Sequence, residues 1–123
     1  MEITEQFKKE IEPFTWVDHS PDTGAGVCLT VSEGGYLQEI FDTRADDGFI
    51  GNGYDWASLA HKFLNEKYPE LQEKIDFDPE AGMFCAESED KEALADFIHL
   101  FKNACEDKAF ISDIFRRVEW DEY

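Results

Sequence analysis

Nucleophilic catalysis needs a serine or cysteine beside a positioned histidine, and a metal centre needs clustered His, Cys, Asp or Glu. This chain of 123 residues offers His19, His61 and His99, with Cys28, Cys85 and Cys105. It also carries 29 Asp and Glu. The densest gathering of special residue types is DDGFIGNGYDW, Asp46 to Trp56. It holds three glycines, three aspartates, an asparagine and three aromatics.

A calcium loop would place oxygen ligands at positions 1, 3 and 5, glycine at 6 and glutamate at 12. Counted from Asp42, Arg44 falls at position 3 and Asp47 at position 6. Counted from Thr43, Gly48 reaches position 6, but Thr43, Ala45 and Tyr54 take positions 1, 3 and 12. Neither register binds calcium, and no metal site is expected. The GNG triplet lacks the third glycine of a dinucleotide loop and the GK[ST] of a P-loop. Asp55 would also repel a phosphate at the following helix. No GxSxG elbow or HExxH pair occurs. At helical spacing His61 and His99 fall outside the apolar stripes of their helices, which turns them to solvent. His19 closes a strand beside a turn. Among so many carboxylates no acid–base pair can be singled out. The expectation is no catalytic residue and no cofactor.

The elements that must position these residues are legible from their period. EPFTWVDH has strand character, SPDTGAG supplies a turn, and GVCLTVS alternates. Val27, Leu29 and Val31 share one face, with Cys28 and Thr30 on the other. This predicts an antiparallel hairpin, Phe14–His19 with Gly26–Ser32. YLQEIFDTRA reads as a short helix. Asp55 serves as an N-cap, and Trp56, Leu59, Ala60, Phe63 and Leu64 follow at i, i+3, i+4, i+7 and i+8, up to Pro69. KIDF and GMFCAES read as strands joined by DPEAG. Ser88 caps a helix whose stripe is Leu94, Phe97, Ile98, Phe101 and Cys105. Asp107 caps a last one carrying Ile111, Ile114, Phe115 and Val118. The fold class is α+β: an antiparallel sheet of about four strands packed against three or more helices, in a single domain over residues 1–123.

Surface scaling gives roughly 6,800 Å² exposed when folded against roughly 20,600 Å² unfolded, which is enough burial for one core. Eleven Phe, three Trp and four Tyr make that core aromatic. Eleven Lys and Arg leave a formal net charge of −18. Such a field repels phosphate backbones and anionic lipid, so neither nucleic acid nor membrane is an expected partner. It draws in basic proteins and speeds their association. The cysteines form no CxxC pair and sit in apolar runs, as free thiols in a reducing compartment do. No secretory signal and no apolar stretch of 18 residues is seen, so the expected location is the cytoplasm.

In the Asp46–Trp56 stretch the glycines supply unusual backbone, while Phe49, Tyr54 and Trp56 pin the loop to the core. That leaves acidic side chains on a stiff platform, a suitable docking place for a basic partner. GFIGNGYDWASLAHKFL, FDPEAGMFCAESEDKEALADF and FKNACEDKAFISDIF together resemble the immunity protein 51 family, from about Phe14 to Phe115. Its members are small bacterial proteins encoded beside polymorphic toxins, including those of contact-dependent growth inhibition. The resemblance implies a non-enzymatic antidote that neutralises a cognate toxin C-terminal domain. It transfers no interface residues. Charge favours a basic nuclease as the toxin, first a ribonuclease, with its active site or substrate-binding surface occluded by an acidic plug. A monomer is the expected state.

The first candidate surface is Asp42, Asp46, Asp47 and Asp55 with Asn52 and Tyr54. The rival is Glu87, Glu89 and Asp90, which also suit the start of a helix. Trp120 and Tyr123 at the C-terminus either dock on the domain or meet a partner. Two other readings stay open: an acidic nucleic-acid mimic or chaperone for a basic protein unrelated to toxins, and a small hydrolase with an unrecognised Asp/His site.

Overall fold

The computed structural model describes residues 3–19, 23–32, 34–120 and Tyr123. Four antiparallel strands form its sheet: β1 (Thr15–Asp18), β2 (Ala25–Thr30), β3 (Asp76–Phe77) and β4 (Met83–Ser88). Their spatial order is β1-β2-β4-β3, with the last hairpin folded back so that β4 lies beside β2. With the six helices below, this is the expected single α+β domain. β1 is one residue shorter than expected at each end, while β2 starts one residue earlier, at Ala25, and ends two earlier, at Thr30. Of its turn, Ser20, Pro21 and Asp22 lie outside the described residues.

Alternation places the core. Val27 and Leu29 are buried, as are Phe84, Ala86 and Ser88 of β4. Two long helices, α3 (Gly53–Lys67) and α5 (Lys91–Glu106), pack against that side of the sheet. The α5 stripe Leu94, Phe97, Ile98, Phe101 and Cys105 is fully buried, as the helical period requires. The last helix, α6 (Lys108–Phe115), packs on α3 and α5, with Asp107 accepting from the Phe110 amide as its cap. Trp56 is the hub. Its indole stacks on Tyr36 at 6.1 Å and meets Phe41 at 5.2 Å, Phe14 at 5.8 Å, Phe84 at 6.1 Å and Phe101 at 6.1 Å.

Local signals were misplaced at five points. The segment before β1 forms α1 (Glu5–Glu10), capped by Thr4, whose hydroxyl accepts from the Phe7 amide. Its apolar residues are only Phe7 and the following Ile11, too few to show a period. Phe7 meets Trp16 edge-on at 5.8 Å. YLQEIFDTRA splits into α2 (Gln38–Asp42) and a 3₁₀ turn, Ala45–Asp47. α3 starts earlier than expected, because Asn52 and not Asp55 is its N-cap. α5 is capped by Asp90 and not by Ser88, whose hydroxyl accepts from the Asp90 amide instead. Pro69, expected as a stop, also begins a short helix, α4 (Pro69–Gln72), where its missing N–H costs nothing.

Candidate partner-binding surface

The loop from Asp42 to Asp55 is held mainly by its own side chains. Asn52 accepts from the Asp55 amide at 2.9 Å. Asp55 turns back and one carboxylate oxygen accepts from the amides of Ile50 and Gly51, both at 2.8 Å. This is a reciprocal cap, in which each side chain satisfies backbone donors that a helix start leaves open. Gln38 donates to the Asp42 carboxylate at 2.9 Å and to the Ile50 carbonyl at 3.0 Å. Arg44 pairs with Asp47 at 2.8 Å and donates to the carbonyls of Phe115 and Val118 at 2.7 and 2.6 Å. Its guanidinium also lies over the Phe49 ring, 4.5 Å from the centroid.

Those contacts sort the first candidate set. Asn52 and Asp55 face their own backbone, so Asp55 does not point outward as expected. Asp47 is shared with Arg44, and Asp42 is engaged by Gln38. Asp46 and Tyr54 remain exposed. The tip that stands out most is apolar: Ile50 is 64% exposed. A cleft of about 460 Å³ runs beside it, lined by Val31, Asp42, Phe49, Ile50, Asn52 and Ala81. Trp120 closes the loop from below. Its indole N–H donates to the Asp47 carbonyl at 2.9 Å, and its ring lies 5.8 Å from that of Phe49. Gly48, at φ +96°, is needed there, since a Cβ would collide with that indole.

The face of the sheet turned away from α3 and α5 is assembled from strands far apart in sequence. Strand register sets its rows. Val17, Gly26, Glu87 and Asp76 form one row across β1-β2-β4-β3. Thr15, Cys28 and Cys85 form the next, extended by Asp78, whose amide donates to the Cys85 carbonyl at 2.9 Å. Thr30 and Met83 form a third. All but Gly26 are exposed or half-buried. His19 leans over Gly26, where a Cβ would come within 3.3 Å of its Nε2. A polar cavity of about 540 Å³ opens there, lined by His19, Thr23, Asp76, Glu87, Ser88 and Glu89.

Asp76 and Glu87 are direct cross-strand partners. Like charges in that position repel, and among the described residues no Lys or Arg pairs with them. The ion pairs lie elsewhere: Arg117 with Glu66 and Asp113, Lys102 with Glu106, Lys108 with Glu39, Lys91 with Asp18 and Lys74 with Asp90. Asp76, Asp78, Glu80, Glu87 and Glu89 join no ion pair among the described residues. Of the rival set, then, Glu87 and Glu89 are uncommitted. Asp90 is spent on the α5 cap, and the Ala93 amide, ahead of Lys74, holds its carboxyl below the usual range. The loop and this hairpin meet where the Gly53 amide donates to the Ala81 carbonyl at 3.1 Å.

The histidines sit in three different surroundings. His61 is half-buried rather than turned to solvent, because α4 folds back on α3 and sets Gln72 against its imidazole, with the Phe77 ring at 6.3 Å. His99 is exposed beside Asn103, and His19 lies at the acidic cavity. Among the described residues no group of three or more His, Cys, Asp or Glu is arranged to hold a metal ion. No described helix is long and apolar enough to cross a membrane.

No curated protein and no solved structure matches the chain. A family model described as Immunity protein 51 matches residues 14–120, which takes in the four strands, both long helices and the GNGYDW loop. The chain therefore belongs to the immunity protein 51 family, and that membership points to an antidote against a toxin.

Proposed function

We propose that this chain is a non-enzymatic antidote that binds a cognate bacterial toxin domain in the cytoplasm and covers its basic substrate-binding surface. The toxin is of the polymorphic, contact-dependent class, and its domain is a nuclease, by first choice a ribonuclease. A nuclease must hold phosphates with Lys and Arg, so an acidic cover fits it. The docking surface is the outward face of the sheet, with the loop tip Asp42, Asp46, Ile50 and Tyr54 continuing it past Gly53. Asn52, Asp47 and Asp55 shape that tip.

One observation carries this reading. Among the described residues, five carboxylates on and beside the β3–β4 hairpin join no ion pair, two of them directly opposed, while nine of the eleven Lys and Arg pair elsewhere. Opposed carboxylates cost stability, and a basic partner relieves that cost on binding. Val17 and Met83, interleaved with them, give the face apolar contact area.

The test uses the toxin domain encoded beside this chain. Asp76→Lys/Glu87→Lys and Asp42→Lys/Asp46→Lys are made separately, and association rates are measured at low and high salt. The wild-type rate falls about tenfold or more with salt, and the sheet variant binds about tenfold or more weakly. Loss confined to the loop variant moves the interface to the loop. Unchanged binding by both, or a salt-independent rate, overturns acidic occlusion. Restored RNA cleavage on titrating the toxin with the sheet variant, but not with wild type, tests the nuclease assignment.

A further inference from the structure

Cys28 and Cys85 are 57 positions apart in sequence, yet the register of β2 against β4 sets them directly opposite. The kind of pair matters. The Val31 amide donates to the Gly82 carbonyl at 3.1 Å, so that pair is hydrogen-bonded. Antiparallel ladders alternate, which makes Thr30–Met83 narrow, Leu29–Phe84 bonded and Cys28–Cys85 narrow again. The Cys85 carbonyl, which accepts from Asp78 on the far side, confirms that its backbone faces away from β2. Narrow pairs hold their Cα atoms about 4.5 Å apart, inside the range of about 4.4–6.8 Å that a disulfide spans.

Accessibility separates this pair from the third cysteine. Cys28 and Cys85 lie on the outward face and are half-buried, whereas Cys105 is fully buried on α5. We propose that Cys28 and Cys85 are a dithiol site that a small-molecule disulfide oxidises to a cross-strand disulfide. A thiolate from one cysteine attacks the reagent, forming a mixed disulfide and releasing one thiol. The second cysteine, on deprotonation, attacks the protein-side sulfur and releases the other. The protein loses two electrons and two protons, and the reagent gains both as two free thiols. Burial, the Cys28 thiol and the carboxylates of Asp78 and Glu87 push the Cys85 thiol up to about 12. Cys85 is therefore no fast nucleophile near neutral pH, and its oxidation speeds up as pH rises. The same carboxylates favour a cationic disulfide such as cystamine over an anionic one.

The experiment treats the purified full chain with cystamine at pH 8, blocks remaining thiols, and maps peptides without reduction. The expected product is a Cys28–Cys85 linkage with Cys105 free, lost on dithiothreitol treatment. Cys28→Ser stops at a mixed disulfide on Cys85, which shows that closure needs both sulfurs. A wild-type chain that keeps stable mixed disulfides at either position overturns the proposal. So does a linkage through Cys105, or a folded chain that stays unreacted under conditions that oxidise the urea-unfolded chain.

Discussion

Gly53 is the residue on which the loop's placement turns, and Gly53→Ala tests it. It is the first residue of α3, where alanine would ordinarily be preferred by about 0.4–1 kcal/mol. Here the helix start is pressed against the β3–β4 turn. A Cβ on Gly53 would lie 1.9 Å from the Glu80 carbonyl oxygen and 2.3 Å from that of Met83. Both obstacles are backbone, so the helix start or the hairpin must move. Overpacking of this kind costs about 1–3 kcal/mol. The Gly53 amide's bond to the Ala81 carbonyl, 3.1 Å long, weakens with the shift and adds about 0.5–1.5 kcal/mol. Set against alanine's advantage, the expected loss is about 0.5–4 kcal/mol, centred near 2. Gly82 supplies the control. It lies in the same turn, and a Cβ there meets nothing within 4 Å. Gly82→Ala should be neutral or slightly stabilising. Urea unfolding followed by circular dichroism measures both. Equal stability for Gly53→Ala and wild type, or a larger loss in Gly82→Ala, would refute the close-approach account of this glycine.

Other expectations follow from the same contacts. Asp76→Asn removes one of two opposed carboxylates and should raise stability by about 0.2–1 kcal/mol at low salt while weakening toxin binding; a drop in urea midpoint would contradict it. Asn52→Ala deletes the α3 cap and should cost about 1 kcal/mol in urea unfolding, with toxin affinity falling by less than that once folded protein is compared. A large affinity loss at unchanged stability would make Asn52 a contact residue instead. Arg117 holds the Glu66 carboxyl below its ordinary value of 4.5, and the Tyr36 hydroxyl does the same for Glu106. Both groups bind their protons less readily when folded. Their stabilisation is complete above about pH 4.5 and is lost as pH falls through the lower folded values. Arg117→Gln should flatten that acid limb in unfolding curves taken from pH 5 to pH 3.

Much of the fold was legible because its signals are local. The stripe of α5 and the alternation of Val27, Leu29, Cys28 and Thr30 depend only on period, which the chain carries residue by residue. Misplacements arose where two local signals compete. Asn52 and Asp55 are both good caps three residues apart, and Ser88 and Asp90 likewise. Which of them caps depends on where the chain enters, and a seat against another element decides that. For Asn52 it is Gly53 lodged under the Glu80 and Met83 carbonyls. Hidden for a similar reason was the half-burial of His61, since α4 had to fold back over a helix face that looked free.

Sequence by itself determined the class of the domain, the aromatic character of its core, the surplus of negative charge and the family. Each is a sum over residues or a short pattern, insensitive to how distant segments meet. Only the tertiary structure decided which carboxylates stay unpaired, that Asp76 opposes Glu87, and that Cys28 faces Cys85. Those facts depend on β4 lying between β2 and β3 and on a register in which a one-residue slip would turn every side chain to the other face. Charge is a property of composition, but where it remains uncompensated is a property of contact.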